Sequence, residues 1–215
     1  MRTEANPFYG DGFKTTNMPG AMGEGITMAK NIGAQVVNMG LIQTYPMCDP
    51  NSGAIELIDD ARFEGAILVN QEGKRFVEEL QRRDVMSKAI LEQTGKYCYA
   101  IFNGEIEKRS HAITHHQDEV EVFTKTGILH KADTIADFFK IPVDNLKATI
   151  ARVNEFARTG KDLDFNYRSR FVDLSTGPYW IYRGVPSVHH TMGGLKINPK
   201  AEVLDANDKP IPGLW

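Results

Sequence analysis

The chain is short of cysteine, of long apolar runs and of surplus charge, and each shortage removes a class of answers. Two cysteines in 215 residues, Cys48 and Cys98, build neither a disulfide framework nor a zinc site, so both are expected as free thiols. No stretch approaches the roughly 18 apolar residues of a membrane span, and the opening MRTEANPFYG lacks the apolar core of a signal peptide. A formal net charge of −3 gives no reason to expect nucleic acid or an anionic membrane as partner. P-loop, nucleophile elbow and Cys-x-x-Cys are all missing. The glycine string GAMGEG (20–25) is no dinucleotide fingerprint, because its spacing is wrong and no apolar strand leads into it. No internal repeat or low-complexity linker interrupts the chain.

What is present is the composition of an ordinary soluble domain, 41% hydrophobic and 25% charged. The length suits one large domain, or one domain plus a remnant. PGAMGEGITMAKNIGA (19–34) reads as a glycine-rich turn and a helix with Met22, Ile26 and Ala29 on one face, stopped at Gly33. QVVNMGLIQTYPM (35–47) looks extended and ended by Pro46. GAILVNQEGKRFVEE (65–79) suits a hairpin about a Gln-Glu-Gly turn. A helix is expected over DVMSKAILEQTG (84–95), with Asp84 as N-cap and Gly95 beyond its end, and a strand over KYCYAIFN (96–103). Further helices are expected over ADTIADFFK (132–140) and, by the spacing of Val143, Leu146, Ile150, Val153 and Ala157, between Pro142 and Gly160. The aromatic, polar run DLDFNYRSRFVDLSTGPYW (162–180) reads as a long functional loop. Short strands about an Asp-Ala-Asn-Asp turn close the chain. The whole is α+β.

Three constellations could carry chemistry. In HHTMGG (189–194) adjacent histidines point to opposite sides of an extended segment, so one can enter a pocket. The bland alternative is a strand-to-turn junction with one core histidine. His111, His115, His116 and His130 lie far from it in sequence, and no metal is expected. In IELIDDARFEG (55–65), Asp59, Asp60 and Arg62 could form, with Arg83 of the RRD run, an acid between two arginines that holds them and passes protons. The alternative is a surface ion cluster worth at most about 1 kcal/mol. The glycine string at 20–25 could present main-chain amides to a phosphate.

Together TTNMPGAMGEGITMAKNIGAQVV, GAILVNQEGKRFVEELQRRDVMSKAIL, VNEFARTGKDLDF and HHTMGGLKINPKAEVLD…PIPGLW resemble the flavoprotein subunit of the soluble fumarate reductase family, which includes flavocytochrome c and urocanate reductase. The likeness runs through most of the chain in the same order. It implies a capping (substrate) domain at residues 46–185, with remnants of the FAD-binding domain at 1–45 and 186–215. The abrupt stop at IPGLW fits a piece of a longer protein. The resemblance implies FAD as the cofactor of the full-length protein. FAD binding by this piece alone is doubtful and turnover is not expected.

By motif, Arg83 matches the family's general acid, and Asp59 with Arg62 matches the pair that reprotonates it. His189 matches the residue that binds the substrate carboxylate, with Thr191 beside it. Thr15, Thr16, Asn17, Gly20, His190 and Gly193 match cofactor contacts. Tyr45 stands where fumarate reductases hold a second carboxylate with histidine. Tyrosine there, with an aspartate at 59 or 60, resembles urocanate reductase. Asp60 is favoured as the contact to the imidazole of that substrate, with Asp59 second.

The reading is therefore FAD-dependent saturation of the C=C bond of an α,β-unsaturated carboxylate, urocanate favoured over fumarate. A flavin-free module that binds small acids is the rival of a different class. Arg83 is expected indoors and Arg82 in solvent. The electron donor, a further domain or protein, is expected outside these residues, and the compartment, cytoplasmic or exported, is left open.

Overall fold

The structure, a computed structural model, describes residues 2–10, 12–138 and 141–215. It mixes helix and sheet and divides into two compact units, Met1–Thr44 with Val188–Trp215, and Tyr45–Ser187.

The first unit holds helices α1 (Arg2–Ala5) and α2 (Glu24–Asn31) and a two-stranded ribbon of β1 (Val36–Val37) against β7 (Gly194–Leu195). Helix α2 ends as its sequence requires, with Gly33 at φ +94° just past the C-cap Ile32. Met22 falls ahead of the helix and is exposed, so Ala29 alone of the expected face is buried. The core is small: Ala29, Ala34 and Val203, with Leu195, Ile211 and Leu214 packed on it. The Asp205 carboxylate accepts from the main-chain N–H of Asn207 and Lys209 and closes the expected turn.

The sheet of the second unit has the order β2 (Ile42–Cys48), β6 (Tyr179–Thr191), β4 (Cys98–Asn103), β3 (Ile67–Val69), with β5 (Leu129–Ala132) also paired to β6. Strand β4 is buried at every residue, which explains its unbroken apolar run. Pro46 does not end β2. An edge strand tolerates a residue that cannot donate, and β2 continues through it to Cys48.

Helix α3 (Arg83–Leu91) begins two residues earlier than an Asp84 cap requires, and it ends at Leu91, so Gly95 falls in the following 3-10 turn Thr94–Lys96 and does not close the helix. Arg82 occupies the N-cap position, and Asp84 sits in the first turn paired with Arg82 at 2.7 Å. Three short helices, α4 (Gly104–Arg109), α5 (His111–His115) and α6 (Gln117–Thr126), fill a stretch without a sequence expectation. The helix expected over 132–140 is reduced to a 3-10 turn, Ile135–Asp137, and Phe139 and Lys140 lie outside the described residues.

Helix α7 (Val143–Thr159) follows its periodicity, burying Leu146, Ile150, Val153 and Phe156 between the Pro142 N-cap and Gly160 at φ +74°. It crosses the hairpin turn after β3, where Thr149 Oγ1 donates to the Gly73 carbonyl at 2.7 Å. A side chain at residue 73 would meet the Leu146 backbone at 3.0 Å, and φ is +76° there, so the turn takes glycine.

The run 162–180 is not a free functional loop. Tyr167, Phe171, Val172 and Leu174 are core residues, and its last residues begin β6. Phe171 and Tyr179 are buried, whereas Phe8 is exposed.

Candidate active site

The chemistry-bearing residues of the second unit gather at the end of β2 and on the 3-10 turn Leu57–Glu64. That turn points Asp59 and Arg62, three residues apart, to one side, and both are buried, at 2% and 5% exposure. Arg62 grips Asp59 with two bonds, Nε to Oδ1 at 3.1 Å and Nη2 to Oδ2 at 2.8 Å. The Tyr45 hydroxyl donates to the same carboxylate at 2.7 Å. The Arg83 guanidinium lies over the Tyr45 ring, 4.7 Å from its centroid. Tyr45, Asp59, Arg62 and Arg83 thus form one contact chain.

The electrostatics follow from burial. Desolvation opposes the charge on Arg62, but the Asp59 carboxylate outweighs it and raises the guanidinium pKa. Burial, then the charge and hydrogen bond of Asp59, raise the Tyr45 phenol well above its ordinary range. Tyr45 is therefore a neutral hydroxyl whose hydrogen belongs to Asp59.

Other expectations fare differently. Arg83 is not indoors: it is exposed on this chain, as is Arg82, and the two differ in partner, an aromatic face for Arg83 and Asp84 for Arg82. Asp60 serves the start of α5, accepting from Ser110 Oγ at 2.5 Å and Ala112 N at 3.3 Å, so the carboxylate beside Tyr45 is Asp59. Both cysteines are free and buried, and burial pushes the Cys48 thiol up to about 12. His111 and His115 stand one helical turn apart with stacked rings, 3.9 Å between centroids. Among the described residues no group of three or more His, Cys, Asp or Glu could hold a metal. Cavities of about 870 Å³ beside Arg109 and Arg158, and 460 Å³ beside Tyr99 and Arg183, do not include the Tyr45–Arg83 chain.

Residues the sequence reading missed surround Arg62. Arg75 makes a two-bond pair with Glu79 (2.7 and 2.7 Å) and another with Asp162 (3.2 and 2.9 Å), and these side chains are nearly inaccessible. The Glu79 carbonyl accepts from Arg62 Nη1 at 2.8 Å. The i, i+4 spacing of Arg75 and Glu79 was the available signal, and it reads equally well as a solvated pair.

In the first unit, the chain from Lys14 to Thr16 runs parallel to Val188, with Thr16 N donating to the Val188 carbonyl at 2.9 Å. This brings Thr15, Thr16, Asn17 and His189 together. Thr16 Oγ1 lies 2.8 Å from His189 Nδ1, and Asn17 Nδ2 donates to the His189 carbonyl at 2.8 Å. His190 is exposed and its Nδ1 meets the Thr191 carbonyl. Thr191 Oγ1 accepts from Gly193 N at 3.1 Å. At Gly193 an added Cβ would lie 2.3–2.4 Å from the backbone of Val37 and Asn38, so close packing of main chains accounts for this glycine. Gly20 is open. Thr15–Asn17 carry neutral donors and acceptors, and Met18, Met22 and Met192 of the same unit are exposed apolar side chains, residue types compatible with the polar edges and ring of a flavin.

A family model described as FAD binding domain matches residues 6–215. The chain is 42% identical to a urocanate reductase of Eggerthella lenta over all of its length and 36% of that protein's. It is 39% identical to a fumarate reductase (cytochrome) of Shewanella frigidimarina over 95% of the chain and 35% of the relative. The open conformation of a flavocytochrome c3 fumarate reductase superposes with a TM-score of 0.76 at 32% identity, covering 99% of the chain and 37% of that structure. The chain therefore spans about a third of the length of these relatives.

Proposed function

This chain belongs to the FAD binding domain family, and from that premise we propose that the protein containing it reduces the C=C bond of an α,β-unsaturated carboxylate, with urocanate as substrate and imidazole propionate as product. Its residues 46–185 act as the capping domain, and 1–45 and 186–215 belong to the FAD-binding part. FAD is the family's cofactor, and when bound and reduced it supplies the hydride equivalent to the β-carbon.

The observation that carries the reading is the Tyr45–Asp59–Arg62–Arg83 chain. Arg83 protonates the α-carbon. An arginine is protonated at any physiological pH, which makes it a dependable but weak acid. Immediate reprotonation compensates, and the buried Asp59–Arg62 pair provides it. His189 binds the carboxylate, its ring oriented by Thr16, and Thr191 lies two residues further along the strand.

Urocanate is favoured over fumarate by the state of Tyr45. Tyr45 is a neutral hydroxyl where a second carboxylate would need a cation, and the Asp59 carboxylate it donates to would repel that second carboxylate. The 42% identity to a urocanate reductase supports the same choice, and the 39% identity to a fumarate reductase keeps fumarate as the second reading.

The test is turnover by the full-length protein with a reduced viologen dye as donor, offered urocanate or fumarate. Arg83→Lys is expected to lose most turnover and Arg82→Lys to keep it. Fumarate turnover without urocanate turnover would sink the substrate assignment, and an active Arg83→Lys with an inactive Arg82→Lys would sink the acid.

A further inference from the structure

We propose that Asp162, Arg75, Glu79 and Tyr167 form an interior brace that sets the position of Arg62, and through it the Asp59 carboxylate. They act as positioning residues. The kinetic part of the proposal rests on the reductase reading, whereas the structural part stands on geometry alone.

Two routes leave the Asp162 carboxylate and reach opposite ends of Arg62. The first passes to Arg75 (2.9 and 3.2 Å), on to Glu79 (2.7 Å twice), and from the Glu79 carbonyl to Arg62 Nη1 at 2.8 Å. The second passes through Tyr167, whose N–H donates to Asp162 at 3.1 Å and whose hydroxyl donates to the Arg62 carbonyl at 3.2 Å. Arg62 is thereby held at its guanidinium and at its backbone, with Nε and Nη2 left to grip Asp59.

The brace is built to be stiff. Arg75 is clamped between Phe165 and Phe171, 5.1 and 4.6 Å from its guanidinium carbon. Glu79 also accepts from the Leu68 N–H of β3, which ties the brace to the sheet. Ion pairs buried this deeply contribute little net stability compared with well-packed apolar residues, because both charges lose their water. What they provide is direction. A two-bond arginine–carboxylate contact fixes angle as well as distance, and the proposed proton return needs both at Asp59.

In the full-length protein, Asp162→Asn keeps size and removes the charge facing Arg75. The expected result is an unaltered circular dichroism spectrum and an Arg62 Nε–H resonance that moves toward the position of a solvated arginine. The kcat for urocanate should fall roughly 10- to 100-fold with KM little changed. Tyr167→Phe removes only the hydroxyl bond to the Arg62 carbonyl. It should move the same resonance the same way by a smaller amount, and it carries the test if Asp162→Asn does not fold. An unmoved Arg62 resonance in a folded variant overturns the brace, and a moved resonance with unchanged kcat overturns its positioning role. A wild-type protein that binds FAD yet reduces no enoate defeats the reductase reading and leaves the resonance test standing.

Discussion

Raising the pH through neutrality should weaken the second unit at one identifiable carboxylate, Glu56. This residue precedes the turn that carries Asp59, is 8% exposed, and has no hydrogen-bond or ion-pair partner for its side chain among the described residues. Its charged neighbours have its own sign. Asp49 accepts from the Ser52 N–H and hydroxyl, both neutral, and Glu119 has His116 at 3.8 Å. Burial first, then Asp49 and Glu119, push the Glu56 pKa from 4.5 up to about 7. A carboxylic acid whose folded pKa is raised contributes stability that is complete below the unfolded value and is lost as pH climbs through the folded one. The gap of about 2.5 units corresponds to roughly 3 kcal/mol at 1.36 kcal/mol per unit, and partial solvation of the carboxylate lowers that to about 1–3 kcal/mol. Glu56→Gln imitates the protonated acid at every pH. Urea denaturation of both chains between pH 4.5 and 8.5 should therefore show similar stability at the acid end and a Gln variant more stable by that amount above pH 7. Titrating groups that do not interact with Glu56 cancel in the difference, and Asp49 and Glu119 enter only through their repulsion of it. Two curves that stay parallel across the range would refute the reasoning, since Glu56 would then ionise in the fold as freely as in the unfolded chain.

Tyr45→Phe removes one donor from a buried carboxylate that keeps both Arg62 bonds, so urea denaturation should register a loss of about 1.5–3 kcal/mol. In the full-length protein the same change should raise KM for urocanate more than it lowers kcat. Gly193→Ala should cost the first unit roughly 1–3 kcal/mol, because the new methyl meets main chain, whereas Gly194→Ala, with nothing within 4 Å, should be neutral by the same measurement.

The elements most legible in the sequence were those where local and long-range demands agree. Helix α7 has an apolar stripe, a proline before it and a left-handed glycine after it, and it buries Leu146, Ile150 and Val153 of the stripe together with Phe156, while Val143 and Ala157 are half-buried. Strand β4 announces itself by five consecutive apolar or aromatic residues, Cys98 to Phe102, all buried. Misreadings came where tertiary context overrode a local rule. Pro46 looked like a stop because the sequence does not reveal that β2 lies at the sheet edge. The run 162–180 reads as a functional loop because its polarity hides Asp162, whose charge is paired with Arg75, 87 residues earlier. Asp84 looked like a cap because an aspartate before an apolar run usually is one, yet Arg82 pairs with it from the N-cap position itself. The short helices over 104–126 bury only scattered positions, Ile106, Ile113, Val120 and Phe123. At the candidate site the motif brought Tyr45, Asp59, Arg62 and Arg83 to attention, but spacing could not distinguish Asp59 from Asp60. Their opposite directions on a 3-10 turn decide it, one toward Tyr45 and Arg62, the other toward Ser110.

The interior of the second unit holds Asp59, Glu79 and Asp162 against Arg62 and Arg75. Stability alone is a poor reason for such an arrangement, because each ion surrenders hydration that a leucine or methionine would not need. A requirement for direction explains it better. The turn Leu57–Glu64 has weaker backbone geometry than an α-helix and would leave Asp59 loosely aimed. Arg62 corrects the aim from one side and the Tyr45 hydroxyl from the other, and each is itself held, Arg62 by Glu79 and Tyr167, Tyr45 beneath the Arg83 guanidinium. The exposed member of the set is Arg83, the residue proposed to meet the substrate, while the groups that would resupply it are the ones withdrawn from water. A surface ion cluster would reverse that order, with its carboxylates solvated and interchangeable. Here burial grades inward from the proposed donor to its proposed supply, from exposed Arg83 to Tyr45 at 8% and Asp59 at 2% exposure.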